Sequence, residues 1–324
     1  MHSVAIISPS RILFNMKLVD LHQDFAYASQ FVDVVSSSSQ SNIKVLSRFN
    51  CLIFSSIFPH LKVLNERVEL LSKGYGKPMY STAPSFEVLK EQVKFYYYLE
   101  RKGYIKIIRG LNDLSAEGVK FLISLEGADT LIDPYDLYLL NNLDVRSIAL
   151  SWNYDNKYAA SCMSKKDYGL TGDGEELVKI SNKLNLIIDL SHASKRTVMD
   201  VCNTSKKPVI ASHSNVRKLK DHVRNLDDDE IEAITKTGGI IGVTAITNTL
   251  KDKNIKSIAE NINYIGNSFG WRCVALGTDF LGIDEVPEGF ENIEKVEELI
   301  KYIDGNPEDV IWRNAEELIR KFLS

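Results

Sequence analysis

The sequence predicts an α/β protein, a (β/α)8 TIM barrel, and three observations predict it. Eight short apolar runs recur along the chain, helical periodicities fill most of the intervals, and His, Asp or Glu stands just past at least five of the run ends. A parallel strand buried on both faces reads as a continuous apolar run. Strands alternating with helices imply βαβ units and a parallel sheet. Eight strands suggest closure, although the pattern alone also admits a doubly wound open sheet. The carboxyl ends of such strands are where a barrel builds its active site.

In chain order, residues 1–15 read as a poorly ordered extension or the product of an upstream start codon. Val4 to Ile7 is broken by Pro9 and Arg11 before a signal peptide can form. One domain is expected over 16–324, with no internal repeat and no linker. The first strand, near 17–21, leads to His22 and Asp24, and Ser36 to Ser41 follows as a mobile loop. The second strand lies near 50–57. Ser85 is a plausible N-cap for a helix carrying Phe86, Leu89, Val93 and Tyr96 and ending at Gly103. The third strand, near 119–125, runs into Glu126, and the fourth spans 145–151. The fifth, near 185–190, ends at Ser191-His192, after which Ser194 caps a helix through Cys202. Pro208 opens the sixth, 208–212, which ends at His213. Asp227 or Asp228 caps a helix from Glu230 to Lys236 that stops at Gly238-Gly239. The seventh and eighth strands, 239–245 and 272–278, precede the last helix, Pro307 to Leu323, with Val310, Ile311, Ala315, Leu318 and Phe322 on one face.

Composition narrows the partners. With 39 basic and 43 acidic residues the net charge is -4, and no basic stripe argues for nucleic acid or an anionic membrane. Small-molecule chemistry is the remaining class. No apolar stretch approaches the roughly 20 residues that span a bilayer. Cys51, Cys162, Cys202 and Cys273 are widely spaced with no CxxC, against both a zinc finger and a disulfide scaffold. A reducing, cytoplasmic setting is expected.

His22-x-Asp24 places a nitrogen and a hard oxygen two residues apart, on one side of a strand. Singly, Asp24 could as well cap a helix, and Glu126 could be a solvated carboxylate. His192 and His213 each follow an apolar run in similar serine-flanked settings, and equivalent positions are hard to explain by packing alone. His2, His60 and His222 lack that setting and read as structural or solvated. The five donors suffice for two divalent ions if one carboxylate bridges, an arrangement suited to hydrolysis. Zinc fits the mixed nitrogen and oxygen set, with manganese or cobalt as alternatives. Asp279 is placed to move a proton.

Nine motifs then occur in order: Asp20-Leu-His-Gln-Asp24, Leu125-Glu-Gly127, Val145-Arg-Ser-Ile-Ala-Leu-Ser-Trp-Asn153, Gly169-Leu-Thr-Gly-Asp-Gly174, Ile188-Asp-Leu-Ser-His192, Pro208-Val-Ile-Ala-Ser-His-Ser214, Asp221-His-Val-Arg-Asn225, Leu276-Gly-Thr-Asp-Phe280 and Val286-Pro-Glu-Gly289. Together they resemble the membrane (renal) dipeptidase family, the M19 metallopeptidases of the amidohydrolase-like barrels, from residue 16 to the C-terminus. The resemblance implies a binuclear zinc dipeptidase, commonly a homodimer, in which metal-activated hydroxide attacks the peptide carbonyl. It implies that His22 and Asp24 hold one ion, His192 and His213 the second, and Glu126 bridges. Asp279 would shuttle the proton and Arg224 would bind the substrate carboxylate, as suits a guanidinium fork. Trp152 and Asn153 are expected on the substrate wall.

Three departures bear on that wall. Trp152 stands where better-known members have a histidine, and indole donates one hydrogen bond without acting as an acid. The family's Asp-Phe-Asp-Gly reads Asp279-Phe-Leu281-Gly. Thr244-Ala-Ile-Thr247 lacks an aromatic that some relatives use on the substrate carboxylate. They motivate an alternative substrate, an N-acyl amino acid, lactam or similar small amide. A non-enzymatic metal-binding protein is disfavoured by the complete ligand set.

Overall fold

The computed structural model describes residues 16–60 and 82–324, so the expectation for residues 1–15 lies outside the described residues. Among the described residues nine strands are present: β1 Met16–Gln23, β2 Phe49–Ile57, β3 Lys106–Ile107, β4 Val119–Leu125, β5 Val145–Ala149, β6 Ile187–Asp189, β7 Val209–Ala211, β8 Ile240–Val243 and β9 Val274–Leu276. They lie in the order β2-β1-β9-β8-β7-β6-β5-β4-β3, every pair parallel, and a further β2–β4 pairing closes the ring. The open-sheet alternative is thereby removed. All eight expected strands are there. The ninth, β3, pairs only with the start of β4, and two residues carry no pattern by which to be read.

Two apolar layers follow from strand alternation. Val19, Leu21, Leu52, Phe54, Leu122, Ile187, Ile210, Ile240 and Ala275 fill the barrel interior. The last helix seals one end of that core with Ala315, Leu318, Ile319 and Phe322. Leu18, Cys51, Ile53, Phe121 and Ile123 belong instead to the outer layer shared with the helices. Burying each such large side chain stabilises by about 1.5–3 kcal/mol, which is why the strands read as unbroken apolar runs.

The helix boundaries show how local signals compete. Helix Thr82–Arg101 begins earlier than expected, leaving Ser85 inside it rather than capping it. Pro84 falls in the first turn, where the N–H groups have no helical partner to lose. Gly103, at φ 76°, ends the segment as expected. Ser194 does cap helix Lys195–Thr204, accepting from the Thr197 N–H. Asp227 caps Asp228–Lys236 in a reciprocal capping box with Glu230. A π-helical segment, Asp309–Arg313, precedes the terminal helix Asn314–Leu323. Ser36 to Ser41, read as a mobile loop, carries Gln40, whose side chain accepts from Leu281 N at 2.6 Å and donates to Ile283 O at 2.7 Å. Among the described residues no helix is long and apolar enough to cross a membrane.

Candidate metal centre and substrate cavity

Every residue singled out for chemistry lies at or beyond the carboxyl end of a strand. His22 and Asp24 end β1, Glu126 follows β4, and Trp152 and Asn153 follow β5. His192 follows β6, His213 and Arg224 follow β7, and Asp279 follows β9. A register slip between Asp20 and Gln23 interrupts the β1–β2 ladder at His22. Asp20 stiffens this exit: it accepts from His22 N at 3.2 Å, Gln23 Nε2 at 2.6 Å, and Thr278 N and Oγ1 at 2.8 and 2.7 Å. His192 and Asp279 both have positive φ, 68° and 62°. Such backbone costs of order 1–3 kcal/mol in a non-glycine residue and clusters at functional sites.

The side chains converge. His22 Nε2 lies 3.4 Å from Asp24 Oδ2, 3.6 Å from Glu126 Oε2 and 3.6 Å from Asp279 Oδ1. Glu126 Oε1 lies 3.0 Å from His192 Nε2 and 3.7 Å from His213 Nε2. Two donor sets result, His22/Asp24/Glu126 and Glu126/His192/His213, each with one atom per residue all within 4.8 Å of one another, and Glu126 shared. A third grouping joins His22, His213 and Asp279. Asp24 occupies the N-cap position of the short helix Phe25–Ala28 but makes no side-chain cap, its carboxylate facing His22 instead.

The surrounding hydrogen bonds fix which nitrogens face inward. His192 Nδ1 donates to Asn153 Oδ1 at 2.8 Å, leaving Nε2 as the bare nitrogen. Ser212 Oγ donates to Asp189 Oδ2 at 2.5 Å, so His213 Nδ1 donates to Ser212 Oγ at 2.7 Å. The Nε2 lone pairs of His192 and His213 then face each other at 2.9 Å. His22 Nδ1 and Nε2 and Asp24 Oδ1 are buried without a hydrogen-bond partner. Opposed lone pairs and orphaned buried polar atoms cost about 1–3 kcal/mol each, and divalent cations would relieve those that face the centre, the Nε2 atoms of His22, His192 and His213 and the Asp24 carboxylate. The residues therefore fit metal ions.

Electrostatics divides the three imidazoles. Burial pushes His192 down to about 3, and the Arg224 guanidinium adds to the effect. His213 is also held well below the usual histidine range, by burial first and then by His22 and Arg224. Both are neutral, as a ligand must be. Burial also opposes charge on His22, but the Glu126 and Asp24 carboxylates outweigh it and raise its pKa well above normal. Burial, with Asp24 and Glu126 nearby, raises Asp279 well above the usual carboxylate range despite His22.

A cavity of about 570 Å³ opens over these groups. Arg224 is buried beside it, Nη2 3.1 Å from His192 Nε2 and 3.4 Å from His213 O. Trp152 and Asn153 line the wall, with Phe58, Met163, Ile246 and Ile283 supplying further apolar surface. Sequence reasoning missed Tyr27, Phe58, Asn248, Thr249 and the 283–285 loop, none of which is a metal-ligand residue type directly past an apolar run. It also set aside two histidines that the structure brings to the site. His222 lines the cavity, and His60 reaches the backbone of Glu126. The signal for His60 was its place three residues beyond an apolar run end.

The chain matches the profile of the family described as membrane dipeptidase (peptidase family M19) over residues 8–321. It is 36% identical over 168 residues to an uncharacterized dipeptidase of Schizosaccharomyces pombe, covering 49% of this chain and 40% of that protein. It thus spans less than half of that relative's length. It is 26% identical over 306 residues to dipeptidase verJ of Clonostachys rogersoniana, covering 90% of this chain and 78% of that one. A metallo peptidase from Rhodobacter sphaeroides, solved with a phosphinate mimic of the dipeptide L-Ala-D-Ala, shares the fold at a TM-score of 0.81 and 20% identity, covering 95% of this chain and 99% of its own.

Proposed function

This chain belongs to the membrane dipeptidase family, peptidase family M19, and from that premise we propose that it hydrolyses the peptide bond of dipeptides at a two-ion centre. The observation that carries the proposal is the pair of buried donor sets sharing Glu126. His22 and Asp24 would hold one ion, His192 and His213 the other, with Glu126 between them. Zinc suits these donors best, and manganese or cobalt is compatible. Bound there, divalent ions supply an activated water and positive charge for the developing oxyanion.

The chain's own groups do the rest. Asp279, with its carboxyl pushed towards the protonated form, can take a proton at its Oδ1 and return it to the leaving amine. Arg224, cationic and buried at the cavity edge, pairs with the substrate's terminal carboxylate. Asn153 holds the ring of His192 in register. Trp152 closes the wall and offers one indole N–H. A cavity of about 570 Å³ suits a short substrate rather than a protein chain.

The test is metal content together with turnover of L,L and L,D dipeptides, before and after chelation. The L-Ala-D-Ala mimic held by the Rhodobacter sphaeroides protein supports including D residues at the second position. Chelation is expected to abolish turnover and metal to restore it; cleavage of no dipeptide overturns the proposal. One feature favours a second substrate class. Phe58, Trp152, Met163, Ile246 and Ile283 give the cavity an apolar wall that suits an acyl chain, so N-acyl amino acids and lactams belong in the same panel.

A further inference from the structure

We propose that His60 is a positioning residue, which holds Glu126 and the indole of Trp152 from behind the cavity wall. The proposal rests on the metal-centre reading above. Residues at the exit of β2 grip Glu126 at each of its polar groups. Glu126 N donates to Ile57 O at 3.0 Å, Ser56 Oγ donates to Glu126 Oε2 at 3.2 Å, and His60 Nε2 lies 2.8 Å from Glu126 O. Because that partner is a carbonyl, His60 Nε2 carries the proton and donates.

The exit is itself braced. Gln92 accepts from Phe58 N at 2.6 Å and donates to Phe58 O at 2.9 Å. The turn after Glu126 is shaped around the imidazole: Gly127 has φ 91°, and a Cβ there would meet His60 Cε1 and Nε2 at 2.8 Å. On its other side the His60 ring stacks on Trp152, centroids 4.8 Å apart and planes 28° apart, and Trp152 lies 6.0 Å from the ring of His192. One buried ring thus sets both the backbone of the shared carboxylate and the plane of the indole that faces the substrate. Partners of this kind, which orient ligands without touching the ion, are typically worth 10–100-fold in metal affinity or activity.

Two substitutions separate the two contacts. His60→Phe keeps a stacked ring without the donor, and His60→Gln keeps a donor without the ring. The measurements are zinc affinity by competition with a chelator, kcat and KM on the dipeptides cleaved by the unaltered protein, and tryptophan fluorescence with Trp152→Phe as the reference. His60→Phe is expected to lose about 10–100-fold in zinc affinity and in kcat, with Trp152 emission little changed. His60→Gln is expected to recover the zinc affinity while KM rises and the Trp152 emission shifts. Unchanged zinc affinity in His60→Phe overturns the proposal, as does failure of His60→Gln to improve on it. If the unaltered protein binds zinc but cleaves no dipeptide, the substrate reading falls, and zinc affinity and fluorescence alone decide the role of His60.

Discussion

Three imidazoles around one glutamate differ in proton affinity because their neighbours differ. Arg224 stands by His192 and His213, whereas three carboxylates surround His22. Burial, with the Asp24 and Glu126 carboxylates, raises Asp279 well above the usual carboxylate range, the property that the proposed proton shuttle uses. Asp279→Asn keeps the shape but removes the proton site, so kcat should fall by about 10²–10⁴-fold with metal content retained; wild-type kcat in that variant would remove Asp279 from the chemistry. Gly282 offers a second residue-level test. A Cβ there would lie 2.3 Å from Asp24 Oδ2 and 3.0 Å from Asp279 Oδ1. Gly282→Ala should therefore lower metal content and turnover, while Tm measured with chelator present changes little, since the residue is exposed. Full metal loading measured in that variant would show that Asp24 can move aside without consequence.

Among the elements, helix Asp228–Lys236 couples its start signal to pH. Glu230 completes the capping box by accepting from Asp227 N at 2.8 Å, yet its side chain is buried, and burial raises its carboxyl from 4.5 to about 7. An acid with a raised folded-state pKa binds more protons folded than unfolded. Its stabilisation is fully present below pH 4.5 and is lost as pH rises through about 7. A shift of that size corresponds to ~3 kcal/mol. Glu230→Gln keeps the acceptor oxygen and removes the charge, so the gap between its unfolding free energy and the wild type's should widen in its favour from pH 5 to pH 8. Urea titrations at both pH values, with metal held constant, measure that gap, and a pH-independent gap would contradict the linkage. The terminal helix shows a different logic. Asn314 Nδ2 donates to Trp271 O at 2.7 Å and Val274 O at 2.8 Å, anchoring the apolar plug of the barrel to β9.

At the scale of the whole molecule, the centre draws its donors from the exits of β1, β4, β6, β7 and β9, so ions there tie together strands around the ring. A ligand that binds only the folded state stabilises it by about 2.7 kcal/mol at a hundred times its Kd. Chelation should therefore lower Tm in the wild type and leave it nearly unchanged in His192→Ala. Equal Tm values with and without chelator in the wild type would mean that no ion is held across those strands. The eight barrel strands were legible in the sequence because burial on both faces leaves an unbroken apolar run, and the donors were legible because each breaks the pattern at a run's end. The two-residue β3 and the start of helix Thr82–Arg101 were not, since two residues have no period and Pro84 resembles a stop as much as a start. Closure through β2 and β4, the meeting of Glu126 with His22 and His192, the turn of Asp24 away from its cap, and the place of His60 belong to the tertiary structure alone. Local sequence encodes burial and period. Which strands pair across the ring, and which way a side chain points beyond a register slip or a positive φ, depends on contacts between residues far apart in the chain.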